Sequence, residues 1–207
     1  MTRRSGDTGF TLIELLVVIG LIGGALYIFA SRSLYNESAA LREAETSVAA
    51  LLRTTRSVAV LNAAPARLLV CLEPAEADSY LALLAVVVRN DAGTSWTLAA
   101  RPVCLPEPVR VVPAADVPAA PGTAWPAAAV SAFSGTEAVA LEGLPVGRYA
   151  YVEFSATGTT GAAKKLLLLA MRDRSRSEVV FVTPERSSAF LLRTSGAHTL
   201  LRDPGSL

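Results

Sequence analysis

The sequence predicts an α+β protein: a long N-terminal helix, apolar in its first half and amphipathic in its second, packed on an antiparallel β-sheet region. Three observations predict it. No proline stands before Pro65, so nothing forces a break in a helix there. After Ser31, apolar residues recur at spacings of three and four, which marks one buried helical stripe. Beyond Pro65, short apolar and β-branched runs alternate with clusters of Gly, Pro, Asn and Asp, the pattern of strands and turns.

The first nine residues are polar and carry Arg3, Arg4 and Asp7. Residues 10–30 then form one apolar run of about twenty residues, long enough to cross a bilayer core as a helix. The arginines ahead of it favour a cytoplasmic amino terminus. Glu14 lies near the start of the run. A carboxylate in a membrane span is costly and is kept for a specific partner.

Leu41, Ala44, Val48, Leu51, Leu52, Thr55, Val58 and Ala59 make the stripe of the second half. Arg42, Glu45, Thr46, Ala49 and Arg53 fall on or beside the opposite face, with Arg42 and Glu45 spaced to pair. Asn62-Ala63-Ala64-Pro65 ends the helix, because Pro65 disfavours helical geometry at Ala64. At ~1.5 Å per residue the rod is on the order of 80 Å long. Its amphipathic half needs a cover, and the remainder of the chain supplies it.

In that remainder, strands are expected over residues 67–72, 79–89, 94–100, 109–112, 129–133, 137–141, 148–154, 165–171, 178–183, 189–193 and 198–201, about eight of them forming the sheet region. Asn90-Asp91-Ala92-Gly93 is hairpin-turn chemistry. Pro106, Pro108 and Pro113 around residues 109–112 suggest a sheet edge or strand terminus. Residues 113–129 are rich in Pro and Ala and read as an extended loop, pinned at Trp125. The chain of 207 residues suits one sizeable core.

A net charge of +1 advertises neither nucleic acid nor an acidic partner for the protein as a whole. Cys71 and Cys104 both follow the apolar run. If the head lies in an oxidising compartment, a Cys71–Cys104 disulfide is chemically allowed; two buried unpaired thiols are the alternative. The single histidine, His198, has no acid or nucleophile at motif spacing. Gly158-Thr159-Thr160-Gly161 opens a strand-like run rather than a helix, so it is no phosphate loop. Two cysteines and one histidine do not complete a zinc site. Asp173 and Asp203 lack calcium-loop spacing. No catalysis, cofactor or metal is expected. Arg172, Arg174 and Arg176 stand at i, i+2, i+4 with Asp173, Ser175 and Ser177 between them. They either grip phosphates with strong salt dependence or form a solvated turn that keeps a sheet edge from pairing.

The stretch Gly9-Phe10-Thr11-Leu12-Ile13-Glu14 resembles the class III leader and cleavage site of type IV pilins and type II secretion pseudopilins. The resemblance implies a pilin-like fold, cleavage after Gly9 by prepilin peptidase, and methylation of the new terminus, Phe10. It also implies that Glu14 pairs with the terminal amine of a neighbouring subunit. Residues 1–9 would be the leader, 10–30 the transmembrane part of the helix, 31–64 its amphipathic part, and 65–207 a β-rich head. The implied location is a single-pass inner-membrane protein with a periplasmic head, assembled in a pilus or pseudopilus. Implied partners are prepilin peptidase, other subunits and the assembly platform.

Within that family, Arg56-Ser57-Val58-Ala59 late in the helix and Ala66-Arg67-Leu68-Leu69-Val70-Cys71 after it are similar to GspH/FimT-type minor pseudopilins. Phe154-Ser155-Ala156-Thr157-Gly158 resembles their aromatic–x–x–x–glycine turn, and Val179-Val180-Phe181-Val182 a strand of their final hairpin. The apolar run lacks the proline usual in major subunits, and the calcium loop of major pseudopilins is missing. The expected function is therefore that of a minor subunit supporting protein secretion. The alternative is a DNA-binding minor pilin of a natural-transformation system, using Arg172, Arg174 and Arg176.

Overall fold

The computed structural model describes residues 12–90, 95–112, 133–161, 165–173, 181 and 187–202, without the side chains of Glu14, residues 25–36 and Lys165. The chain divides into two units, Met1–Ser38 and Ala39–Leu207. One helix, α1 (Leu12–Leu61), runs from the first into the second. It stops as the sequence requires. Ala63 takes a left-handed φ of 48°, and the Ala64 N–H donates to the Ala59 carbonyl at 3.1 Å, which caps the last turn before Pro65.

The second unit is mostly β. Its strands are β1 (Ala66–Cys71), β2 (Leu83–Arg89), β3 (Trp96–Leu98), β4 (Val103–Cys104), β5 (Val109–Val112), β6 (Gly135–Val139), β7 (Gly147–Phe154), β8 (Lys165–Met171), β9 (Ser187–Leu192) and β10 (His198–Leu201). They form two antiparallel sheets, β3-β2-β1-β7-β6 with β4 also on β2, and β10-β9-β8-β5. The expected α+β, pilin-like arrangement, a long helix lying on one sheet region, is thereby corrected. The compact body is a two-sheet β structure, to which α1 contributes only the part beyond Ser38. The physical reason is long-range pairing: Ala66 on β1 lies opposite Phe154 on β7, a choice that local periodicity does not encode.

Strand parity places the core. Ala66, Leu68 and Val70 of β1, Leu84 and Val86 of β2, and Val152 and Phe154 of β7 point one way. They meet Val109 and Val111 of β5, Leu167 and Leu169 of β8, and Phe190 and Leu192 of β9. Ala40, Ala44, Val48, Leu51, Leu52 and Ala59 of α1 close this cluster, so both sheets bury a face against the helix. Leu69, Cys71, Ala85, Val87 and Tyr149 line the other face of the first sheet. Glu45, expected on or beside the solvent face, is instead 6% exposed, with Oε2 at 3.7 Å from Arg202 Nη2. Thr55 is buried and spends its hydroxyl on the Leu51 carbonyl at 2.7 Å.

Among the described residues no helix is long and apolar enough to cross a membrane. The expectation of a single-pass inner-membrane anchor with a periplasmic head is corrected accordingly.

Candidate functional site

The N-terminal motif meets the structure at the start of α1. Gly9 and Phe10 lie outside the described residues, and Glu14 falls in the first turns of the helix. Around it Leu12, Ile13, Leu16, Ile19 and Leu21 are all more than 60% exposed, and Leu15, Val17, Val18 and Ile22 stand out as well. Consecutive exposed positions mean that the helix is apolar on every side, which leaves its surface to be covered by something other than its own unit. A Cβ added at Gly20, Gly23 or Gly24 meets nothing within 4 Å. Packing among the described residues does not require these glycines.

Two of the resemblance fragments, those of Arg56 and Gly158, meet at the other end of α1, while Val179, Val180 and Val182 lie outside the described residues. Phe154 closes β7, and the turn after it brings Gly158, at φ +73°, against Arg56 and Val60. A Cβ there would come within 2.8 Å of Val60 Cγ2. Gly196, at φ +74° in the β9–β10 turn, lies still closer: its Cβ would stand 1.9 Å from the Gly158 carbonyl oxygen. Both positions need glycine for space and for the left-handed backbone. The two turns are stitched together by the Thr160 N–H to the Thr194 carbonyl at 3.0 Å and the Thr160 hydroxyl to the Arg193 carbonyl at 2.8 Å. Arg56 therefore lies across both turns.

His198 opens β10 beside this junction, its ring edge-on to Phe190 at 5.8 Å. Burial, then the charges of Arg53 and Arg56, hold the imidazole below the usual histidine range. It is a poor proton acceptor where it stands.

A second polar centre, not singled out from the sequence, sits on the outer face of the first sheet. Arg67 of β1 is pinned by Glu137 of β6 at 2.6 Å and Glu153 of β7 at 2.7 Å. Its guanidinium is sandwiched between the rings of Trp96 at 4.1 Å and Tyr151 at 3.9 Å. Burial lowers its proton affinity, but the hydrogen bonds and charges of both carboxylates outweigh that and raise it. A groove of about 470 Å³ runs alongside, lined partly by Arg67, Ser134, Tyr151, Glu153, Ser155 and Thr159. The available signal was charge inside strand-like runs: Arg67, Glu137 and Glu153 each interrupt an apolar or aromatic pattern.

Cys71 and Cys104 are free thiols, one buried and one exposed, which corrects the disulfide option. They lie on β1 and β4, which pair with opposite edges of β2. Two strand spacings of ~4.8 Å exceed the Cα separation of about 7 Å that a disulfide tolerates. Burial raises the pKa of both thiols. Of the basic patch, Arg172 is described. Arg172 donates from Nε and Nη2 to Glu107, both at 3.0 Å, and Arg110 shares the same carboxylate. Burial alone would raise the Glu107 pKa, but Arg172 and Arg110 hold it below the usual carboxylate range. Arg174 and Arg176 lie outside the described residues. Arg172 thus bridges the end of β8 to the chain before β5.

Among the described residues no cluster of three or more His, Cys, Asp or Glu is placed to hold a metal. Compared with protein-family models, curated proteins and solved structures, the chain matches none.

Proposed function

We propose that the protein is a minor subunit of a type II secretion pseudopilus or type IV pilus, an assembling protein that supports secretion. The observation that carries this reading is the Gly9-Phe10-Thr11-Leu12-Ile13-Glu14 stretch running into a helix whose large apolar side chains from Leu12 to Ile22 are exposed. Such a surface associates with other apolar helices, and a carboxylate at Glu14 sets the register by meeting a neighbour's terminal amine. Prepilin peptidase, other subunits and the assembly platform are the partners this function requires.

Co-expression with prepilin peptidase tests the reading by mass spectrometry of the intact product. The expected product has lost residues 1–9 and gained one methyl group at Phe10. An uncut chain overturns the proposal. Glu14→Leu is expected to leave cleavage intact and to impair co-assembly with other subunits.

A further inference from the structure

The edge strand β10 lies along α1 with charges that are balanced at one end and not at the other. At one end Arg202 faces Glu45 at 3.7 Å. Four residues back along β10, about 13 Å at ~3.3 Å per residue, stands His198. Eight to eleven residues onward in α1, about 12–16 Å at ~1.5 Å per residue, stand Arg53 and Arg56. The two spacings match, in keeping with the charges of Arg53 and Arg56 reaching the His198 ring. The Arg56 Nε position is independently fixed at this place, 3.2 Å from where a Gly196 Cβ would stand. Arg193, in the turn between them, adds a further exposed cation. Among the described residues no carboxylate forms an ion pair with Arg53, Arg56 or Arg193. Burial of the ring and the like charges of the two helix arginines both disfavour a proton on His198.

We propose that this end of the seam binds a phosphate-type oxyanion, held between Arg53, Arg56 and protonated His198. Arg53 and Arg56 are three apart on the helix and so project on neighbouring lines of its surface. Their planar forks suit a tetrahedral oxyanion. An anion seated there reverses the local field, so its binding takes up a proton at the imidazole. The charged groups around His198 are Arg53 and Arg56 from α1 and Arg193 from the turn, with the Glu45–Arg202 pair further along. The ring recorded against His198, Phe190, is 1% exposed and offers no platform on which bases could stack, which separates the site from a nucleic-acid track. The proposal does not depend on processing after Gly9.

His198 is the only histidine, so its NMR titration in the full chain reads the site directly. The probes are inorganic phosphate and sulfate, against chloride at equal ionic strength, with acetate to separate phosphoryl from carboxylate recognition. The expected result is a His198 midpoint raised by phosphate and sulfate. Arg53→Gln, at an exposed position, should shrink that rise and weaken binding roughly fivefold or more. Arg53→Gln with Arg56→Gln should abolish it. A midpoint equal in sulfate and chloride, a rise untouched by Arg53→Gln, or a shift produced by a short DNA duplex but by neither small anion overturns the proposal.

Discussion

The two stretches of α1 have opposite fates. Between Ala40 and Ala59 the apolar residues fall on one stripe, and Ala44, Val48, Leu52 and Ala59 are fully buried against both sheets. Between Leu12 and Ile22 they cover every face, and Leu12 is 81% exposed. The difference lies in both the amount and the arrangement of apolar side chains. A stripe can be closed by two sheets of the same chain, whereas a helix apolar all round can be satisfied only by surroundings that enclose it. The stripe belongs to the stability of the body, and the exposed stretch is the one the proposed assembly role would use.

The sharpest way to break this contrast is a matched pair of truncations. Leu52→Ala should cost about 2–5 kcal/mol, as lost burial plus a cavity, read by denaturant unfolding. Leu16→Ala should change unfolding by less than about 0.5 kcal/mol and weaken association between copies or with companion subunits. Equal losses of stability from both would end the distinction.

A glycine pair sharpens it further. Gly196→Ala forces a methyl into the Gly158 carbonyl at a left-handed position, and should cost on the order of 1–3 kcal/mol. Gly23→Ala meets open space and should leave the fold intact while stiffening the helix by about 1 kcal/mol. Circular dichroism melts of the two variants give opposite signs if the two regions differ as described.

Arg67→Ala leaves Glu137 and Glu153 facing each other without their cation and removes the stacking between Trp96 and Tyr151. The carboxylates are partly exposed, so the loss should be about 1–2 kcal/mol, less than for a fully buried pair. Denaturation midpoints give the measure, and an unchanged midpoint would remove Arg67 from the account of the first sheet.

The smallest expected effects are pH dependences. Glu107 has its pKa lowered in the folded state, so its stabilisation is present above the ordinary carboxylate range. It is lost as pH falls through the folded value. Glu107→Gln should therefore flatten the acid limb of a stability profile. His198 is also lowered, so the unfolded chain binds its proton more readily. Its contribution is present above the ordinary histidine range and fades as pH drops below it. His198→Gln should remove that mild loss between neutral and weakly acidic pH.

How much of this was legible in the sequence depends on the range of the interaction. The stripe of α1, the stop at Asn62-Ala63-Ala64-Pro65, and β5, β8 and β10 all lie where the residue pattern puts them. Each is set by neighbours a few positions away. The 79–89 strand began too early, because Ser79 to Ala82 form a turn: the Leu83 N–H donates back to the Ser79 carbonyl at 2.9 Å. Strand β4 is two residues long and leaves no periodicity to detect. Glu45 looked like a surface residue by spacing, yet sits buried beside Arg202, which arrives from the last strand. Of the candidate site residues, Gly158 was marked as part of a turn, but its need for glycine is created by Val60 and Arg56 on the helix. Arg67 was visible only as part of a strand, because its four partners come from three other strands.

By itself the sequence determined a helix with a sided and an unsided half, a strand-rich remainder, and a motif ahead of the helix that suggests assembly. These follow from periodicity, proline placement and local residue order. Only the tertiary structure decided that the strands divide into two sheets, that Cys71 and Cys104 stay apart across β2, and that Arg172 is spent on Glu107. It also brought His198 within the field of Arg53 and Arg56. Each of those outcomes joins residues far apart in the chain, and no local preference fixes a register between distant strands.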